Sequence, residues 1–312
     1  MAWLAHASAA DALLVADLAG ECGLLGAYQR AGKSGEAREL RALCGGRSAF
    51  AGDGVTVLFA VIPDIRAWLP DDAANLSGAR LLNRLVRGVL AGLTPIGVEA
   101  SYPGRDFVAA GGRRVAQLSL SRSPRGAHLF QALFGRGRTY TTAERAPEFP
   151  GLPPLPPPGV LGVDAETLAS GLARGFETRF ALGLERAELS PDELRASAAT
   201  ELPRLVDPEL AELRAGDPVA TPIGELEAHV RVAADGLLQR VRLRGDWIAA
   251  PADVRALEDS LVGVAPGAVR VRELCARWLA APAHLVVGVT DPAAIAEAIA
   301  RAGGRHSSVS PS

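Results

Sequence analysis

The chain has 312 residues, 48% of them hydrophobic and 22% charged, with a formal net charge of −2. That length suits one large domain plus a small one, and the balance is that of an ordinary soluble globular protein. A near-neutral charge without a basic stripe gives no reason to expect nucleic-acid binding, and the longest clean apolar run, Val55 to Ile62, is far too short to span a bilayer.

The first thirty residues carry Asp11, Asp17 and Glu21 and no early basic region, so they do not read as a signal peptide. Residues 13–28 hold two short apolar runs broken at Gly20 and Gly23, consistent with strands or with one strand and a turn. Cys22, Cys44 and Cys275 are widely spaced and odd in number, unlike a disulfide framework or a zinc site, so a reducing cytoplasmic location is expected. Lys33 is the only lysine in the chain. From Lys33 to Leu43 the spacing predicts a helix, with Ala37, Leu40 and Leu43 on one side and Glu36, Arg38 and Glu39 outside. A glycine-rich loop, Cys44–Gly54, then leads into the apolar strand Val55–Ile62.

Leu76–Leu93 is an amphipathic helix with Leu81, Leu82, Leu85, Val89 and Leu93 as its stripe. Val98–Tyr102, Asp106–Ala109, Val115–Leu120 and Ala127–Leu133 read as strands, with Gly111-Gly112 as a hairpin turn. Pro147–Gly159, PEFPGLPPLPPPG, cannot be helix or central strand, because proline lacks the donor and fixes its own torsion. It reads as a stiff surface connection, with a polyproline ligand for a partner as the other option. Asp164 caps a helix that runs to Gly183. Ile223–Ala233 and Leu237–Arg244 alternate around an Asp235-Gly236 turn, with Leu237, Val241 and Leu243 as the apolar side. Asp253–Leu261, Val269–Leu279 and Pro292–Ala302 read as helices.

Several residues carry chemistry. The Gly45-Gly46-Arg47 loop can present backbone donors to an anion, although Gly-Gly is also the default turn. Arg105 and Asp106 follow a Tyr-Pro-Gly turn and suit either a ligand contact or a surface ion pair. Arg114 can clamp a phosphate or steady an oxyanion, or be a plain exposed arginine after a hairpin. His128 is a neutral donor near a pocket floor or a satisfied structural histidine, and Cys44 a nucleophile or a buried structural thiol. Glu225, Glu227 and His229 alternate on one strand face, a weak hint of a metal; no metal ligands are assigned to protein side chains.

Three segments, Gly104-Arg105-Asp106, Arg113-Arg114-Val115-Ala116-Gln117 and Ala127-His128-Leu129-Phe130, resemble the G-R-N/D, R-K-[IV]-[SA]-G and H-[GA]-[ST]-[LF] segments of the lipoate–protein ligase and octanoyltransferase superfamily, the biotin/lipoate A/B ligases. The family's lysine falls on Arg114. Cys44–Gly54 lies where the family has R-x-[ST]-G-G-[GR]-[AT]-V-[YF]-H-x-x-G; Gly45, Gly46 and Gly54 match, whereas Cys44 and Ala51 depart. Gly224-Glu225-Leu226-Glu227-Ala228-His229-Val230, Gly245-Asp246-Trp247 and Leu261-Val262-Gly263 resemble the signature of the ligases' C-terminal accessory domain. The family's opening N-x-A-x-E helix has no counterpart here.

The resemblance implies an α+β fold, a mixed sheet flanked by helices of the class II synthetase-like type, followed by a small α+β accessory domain. Residues 1–205 would form the ligase-like domain, with 147–159 as its proline-rich connection, 206–303 the accessory domain and 304–312 a disordered tail. It further implies ATP with Mg2+, and activation of lipoate or octanoate as an acyl-adenylate. The acceptor would be a lysine on a lipoyl carrier domain or a glycine-cleavage H-like protein. Arg114 would take the catalytic position, with Gly45, Gly46, Arg47, Gly54, Arg105, Asp106, Arg113, Val115, Ala116 and His128 around the adenylate. Such a site needs apolar strands to line a slot for the eight-carbon tail. Two other functions fit the same scaffold: a non-catalytic homologue binding an acyl ligand or a lipoyl domain, and an octanoyltransferase using an acyl-carrier thioester.

Overall fold

The computed structural model describes residues 11–31, 39–42, 44–70, 77–123, 125–140, 149, 151–193, 195, 208–281 and 284–304. The chain enters through β1 (Ala12–Asp17) and β2 (Cys22–Leu25), followed by β3 (Glu39–Arg41), β4 (Ala49–Ala51) and β5 (Val55–Ile62). A single turn, α1 (Ile65–Trp68), and the long helix α2 (Gly78–Leu93) precede β6 (Ala100–Ser101), β7 (Phe107–Ala110), β8 (Arg113–Arg122) and β9 (His128–Gly135). Six strands form one sheet in the order β1-β5-β9-β8-β7-β6, every neighbouring pair antiparallel. A three-stranded sheet, β3-β2-β4, pairs β3 parallel and β4 antiparallel to β2.

The predicted helix from Lys33 to Leu43 is corrected where it can be seen: Glu39–Arg41 is a strand laddered to Gly23–Leu25. Pairing with a partner strand overrides a helical spacing only a few residues long; residues 32–38 and 43 lie outside the described residues.

Period-two alternation gives the large sheet two different faces. Leu58, Ala60, Ile62, Leu118, Leu120, Phe130, Ala132 and Phe134 point to a core closed by α2 and α3 (Ala165–Phe180). The apolar stripe of α2 is buried as its periodicity requires. Asp164 caps α3, its carboxylate accepting from the Thr167 N–H at 2.8 Å. The helix stops at Phe180 rather than Gly183, because Ala181 turns left-handed at φ 54°. Glycines let the two helices meet backbone to backbone. A methyl on Gly92 would lie 2.6 Å from the Gly171 carbonyl oxygen, one on Gly171 would lie 2.7 Å from that of Gly92, and one on Gly175 would overlap the backbone of Gly88 and Gly92.

The C-terminal elements are β10 (Arg214–Ala215), β11 (Val219–Thr221), β12 (Gly224–Val232), β13 (Leu238–Gly245), β14 (Ile248–Ala249), α4 (Pro251–Ser260), α5 (Val269–Ala280), β15 (Val286–Val287) and α6 (Pro292–Gly303). A register shift at Arg231/Val232 reverses one expectation in the β12–β13 hairpin: Leu238 is buried and Leu237 is exposed. Leu226, Val230, Val241, Trp247, Ile295 and Ile299 belong to a second core, which also takes in Tyr28. In return Ile223, Ile248, Ala250, Leu285 and Val287 join the first. The three cysteines are buried and none of them forms a disulfide among the described residues. No described helix is long and apolar enough to cross a membrane, and residues 305–312 of the expected tail lie outside the described residues.

Candidate functional site

The face of the large sheet turned away from α2 and α3 carries Gln117 and Ser119 on β8 and Gln131 and Leu133 on β9. The Cys44–Ser48 loop lies over it. The Gln117 side-chain amide donates to the Arg47 carbonyl at 2.7 Å, and the Ser119 hydroxyl donates to the Gly45 carbonyl. From the other side the Gly46 N–H donates to the Trp247 carbonyl at 2.9 Å. A side chain at Gly45 would run into that same carbonyl, so glycine is required there by close approach. The double glycine is therefore at least partly a docking surface for the Gly245-Asp246-Trp247 turn.

Arg47 leaves this loop to pair with Asp106 in a buried two-pronged ion pair, Nε to Oδ2 at 2.8 Å and Nη2 to Oδ1 at 3.0 Å. Burial works against the Arg47 charge, but Asp106 outweighs it and holds the guanidinium above its ordinary pKa. Next to the pair stands Arg114. A bulge opposite Val108/Ala109 leaves Val115 without a partner on β7. Bulges of this kind re-aim a neighbouring side chain; Val115 and Ala116 go into the helix-side core, while Arg114 comes within electrostatic reach of Arg47, Tyr140, Asp106 and Arg105. Burial, then Arg47, pushes the Arg114 pKa down; burial and Arg47 also depress that of Arg105. Two further guanidinium groups thus lie within electrostatic reach of the Arg47–Asp106 ion pair.

The proline-rich segment closes the outer side. Arg114 Nε donates to the Pro156 carbonyl at 2.7 Å and its N–H to that of Pro157 at 2.9 Å, while the Gly159 N–H returns to the Arg114 carbonyl at 2.9 Å. Arg105 Nη1 donates to Pro153 and Arg113 Nη1 to Pro158, both at 3.2 Å. Two buried polar atoms at this cluster have no hydrogen-bond partner among the described residues, Arg105 Nε and the Tyr140 hydroxyl. Burial raises the Tyr140 pKa, so the phenol stays protonated and can donate. Such orphans mark a place where a further acceptor belongs.

Gly45, Gly46, Arg47, Arg105, Asp106, Arg113 and Arg114 are brought to one region. Gly54 sits elsewhere, in the β4–β5 turn, its carbonyl taken by the N–H groups of Arg136, Gly137 and Arg138. His128 starts β9 between Ile62 and Arg122. Burial, with help from Arg122, lowers its pKa to about 4, so it is a neutral buried imidazole. Cys44 is a buried thiol with its pKa pushed up to about 12 by burial, a poor nucleophile as it stands.

Sequence reasoning passed over Tyr140, and it gave no role to Gln117, which it quoted only as the end of the Arg113–Gln117 segment, or to Ser119 and Gln131. The slot between loop and sheet is lined by these last three together with Leu24, Leu25 and Leu133. Its free space, about 20 Å³, is enough for little more than a water. An apolar slot for an eight-carbon tail was expected; four of the twelve lining residues, Arg47, Gln117, Ser119 and Gln131, are polar instead, and Gln117 is what stands at the final glycine of the resembled R-K-[IV]-[SA]-G segment.

Among the described residues no group of three or more His, Cys, Asp or Glu side chains gathers as a metal site. Glu227 instead pairs with Arg30 at 2.8 Å and approaches His229 at 3.3 Å. Asp246 accepts from the Glu225 N–H at 3.0 Å and from Gln29 at 2.5 Å. Glu225, Glu227 and Asp246 therefore clamp the C-terminal hairpin onto the Gly26–Arg30 turn.

The architecture, helices flanking sheets with a C-terminal α+β layer, matches the lipoate/biotin ligase fold. Among solved structures, P. falciparum LipL1 in complex with lipoate aligns over 86% of this chain and 81% of its own at 10% identity, with a TM-score of 0.55. Lipoate-protein ligase A bound with ATP aligns over 60% of this chain and 80% of its own at 13% identity, TM-score 0.46. A bipartite lipoate protein ligase of Thermoplasma acidophilum, described with its E2 lipoyl domain, aligns over 60% and 78% at 12% identity, TM-score 0.45. No protein-family model and no curated protein matches the sequence.

Proposed function

We propose that the protein activates a carboxylic acid as an acyl-adenylate and transfers the acyl group to a lysine of a lipoyl carrier domain, in the manner of a lipoate–protein ligase. The observation that carries this is the placing of Arg105 and Arg114 within electrostatic reach of the Arg47–Asp106 ion pair, with Arg105 Nε and the Tyr140 hydroxyl lacking a hydrogen-bond partner among the described residues. That arrangement suits an anion with several oxygens, such as a phosphate joined to an acyl group. In the first step the acid's carboxylate oxygen attacks the α-phosphorus of ATP and pyrophosphate leaves; any Mg2+ arrives on the nucleotide's own phosphates. In the second the lysine amine attacks the acyl carbon and AMP departs with the bonding electrons. Arg114 would stabilise negative charge in both steps and take no proton, since guanidinium does not deprotonate in proteins. We place the boundary of the accessory domain near residue 205.

Pyrophosphate release with lipoate or octanoate, run beside a thermal-shift titration with a non-hydrolysable lipoyl-adenylate analogue, tests this. The analogue at a hundred times its dissociation constant should add about 2.7 kcal/mol of stability, and Arg114→Ala should abolish both signals. Binding without turnover is the alternative, favoured by the bond from Arg114 to Pro156 and by the Gln117 bridge across the slot. It predicts the thermal shift with no pyrophosphate; neither signal would remove the adenylate site altogether.

A further inference from the structure

A second and roomier cleft, of about 360 Å³, opens on the far side of Ala42, between the Ala27–Tyr28 turn and the C-terminal elements β13 and α4. Its volume falls within the range of small-molecule sites. Tyr28 contributes to an apolar floor, and the walls carry four arginines, Arg41, Arg242, Arg244 and Arg255, against two carboxylates, Glu209 and Glu258. Arg242 engages both of those carboxylates. Its Nη2 lies 2.7 Å from Glu209 and its Nη1 3.3 Å from Glu258, and Glu258 also accepts from the Leu243 N–H at 2.7 Å.

Positive charge therefore exceeds negative charge among the described residues of the wall. Two of these arginines are held in place while Arg255 is exposed: Arg244, 14% exposed, lies 3.8 Å from Glu258 and donates to the Leu243 carbonyl at 2.9 Å, and Arg41 is tied by one nitrogen to the carbonyls of Gly26, Ala27 and Gln29 at 3.3, 3.1 and 2.5 Å. Anchored guanidinium forks lose little freedom on meeting the oxygens of a phosphate.

We propose that this cleft binds a small organic phosphate, its phosphoryl oxygens on Arg41, Arg244 and Arg255 and its body over the floor beside Tyr28. The site does not depend on the acyl-activating function. It can nevertheless communicate with that region, because Ala42 lines both this cleft and the slot, and the Ala27 N–H donates to the Cys44 carbonyl at the foot of the glycine loop at 2.9 Å. Its walls also come from both the small sheet and the C-terminal elements, so an occupant fastens one to the other.

The test is calorimetric and thermal-shift titration with phenyl phosphate at constant ionic strength, on the wild type, Arg255→Glu, Arg114→Ala and Arg174→Glu. Arg255 is an exposed residue of α4 and Arg174 an exposed residue of α3, so reversing either charge leaves the fold intact. Saturable binding that weakens at least about tenfold in Arg255→Glu, and is unchanged in Arg114→Ala and in the Arg174→Glu charge control, is the expected result. Absence of saturable binding overturns the proposal. So does binding that Arg255→Glu leaves untouched, or that Arg114→Ala abolishes, which would move the phosphate to the other arginine cluster.

Discussion

His128 is held neutral by its surroundings, and that has a measurable cost in acid. Its folded pKa, about 4, lies below the roughly 6.5 of an unfolded histidine. As the pH falls the unfolded chain takes up the proton first, so stability is complete above pH ~6.5 and drains away towards pH ~4. The loss from this residue is on the order of 3 kcal/mol. Urea titrations across that interval should show a flatter stability profile for His128→Asn than for the wild type; parallel profiles would mean that the imidazole is not the group responsible. Single residues were legible in the sequence where a local pattern carried them. Gly104-Arg105-Asp106 and Arg113-Arg114 stood out, and the structure brings them together. Tyr140 did not, and Gln117 was named without a role, because a phenol or an amide acquires meaning only from what a distant strand, a loop and a β-bulge place against it. For His128 the sequence left two possibilities open; it lies beside Arg122 on the neighbouring strand, and its buried Nδ1 has no hydrogen-bond partner among the described residues, so it is not the satisfied imidazole of the second.

Between residues and fold, the contact of α2 with α3 rests on an absence of side chains. Gly175 faces the backbone of Gly88 and Gly92, and a methyl there has no space to enter. Gly175→Ala should force the helices apart and cost about 1–3 kcal/mol as overpacking, against the small gain alanine gives to a free helix. Chemical denaturation measures the difference, and a stabilised variant would show that the crossing is looser than described. The first helix could be read from its apolar stripe and the second from its Asp164 cap, and the hairpins from their turns, since those signals are local. The strand Glu39–Arg41 could not, because its reason is a ladder with Gly23–Leu25. Leu237 and Leu238 exchanged roles because a one-residue register shift inverts which side chain faces inward. At its described residues, 149 and 151–159, the proline-rich stretch forms neither helix nor central strand, only an isolated bridge from Pro158 to Arg114, yet its use as a row of carbonyls facing Arg105, Arg113 and Arg114 was beyond any local pattern.

At the scale of the molecule, the C-terminal layer is keyed to the glycine loop rather than tethered beside it. The Trp247 carbonyl sits against Gly45 and accepts from Gly46, and each of the two cores borrows side chains from the other side. Gly45→Val should therefore loosen the whole C-terminal layer. Limited proteolysis should find cleavage after residue 205 accelerated in that variant, and an unchanged digestion pattern would mean that the contact is dispensable. The existence of such a layer was readable from Gly245-Asp246-Trp247; the direction in which it docks was not, since that depends on surfaces that stand as far apart in sequence as Gly45 and Trp247. Finally, the three buried thiols fall in three different places: Cys22 in the small sheet, Cys44 at the foot of the glycine loop and Cys275 in the C-terminal core. Burial holds Cys44 and Cys275 at a pKa of about 12, so at neutral pH an alkylating reagent reaches either one only when its own surroundings open. Mass-spectrometric timing of iodoacetamide capture would turn these cysteines into clocks, ranking how often each part of the native protein breathes without a single introduced label.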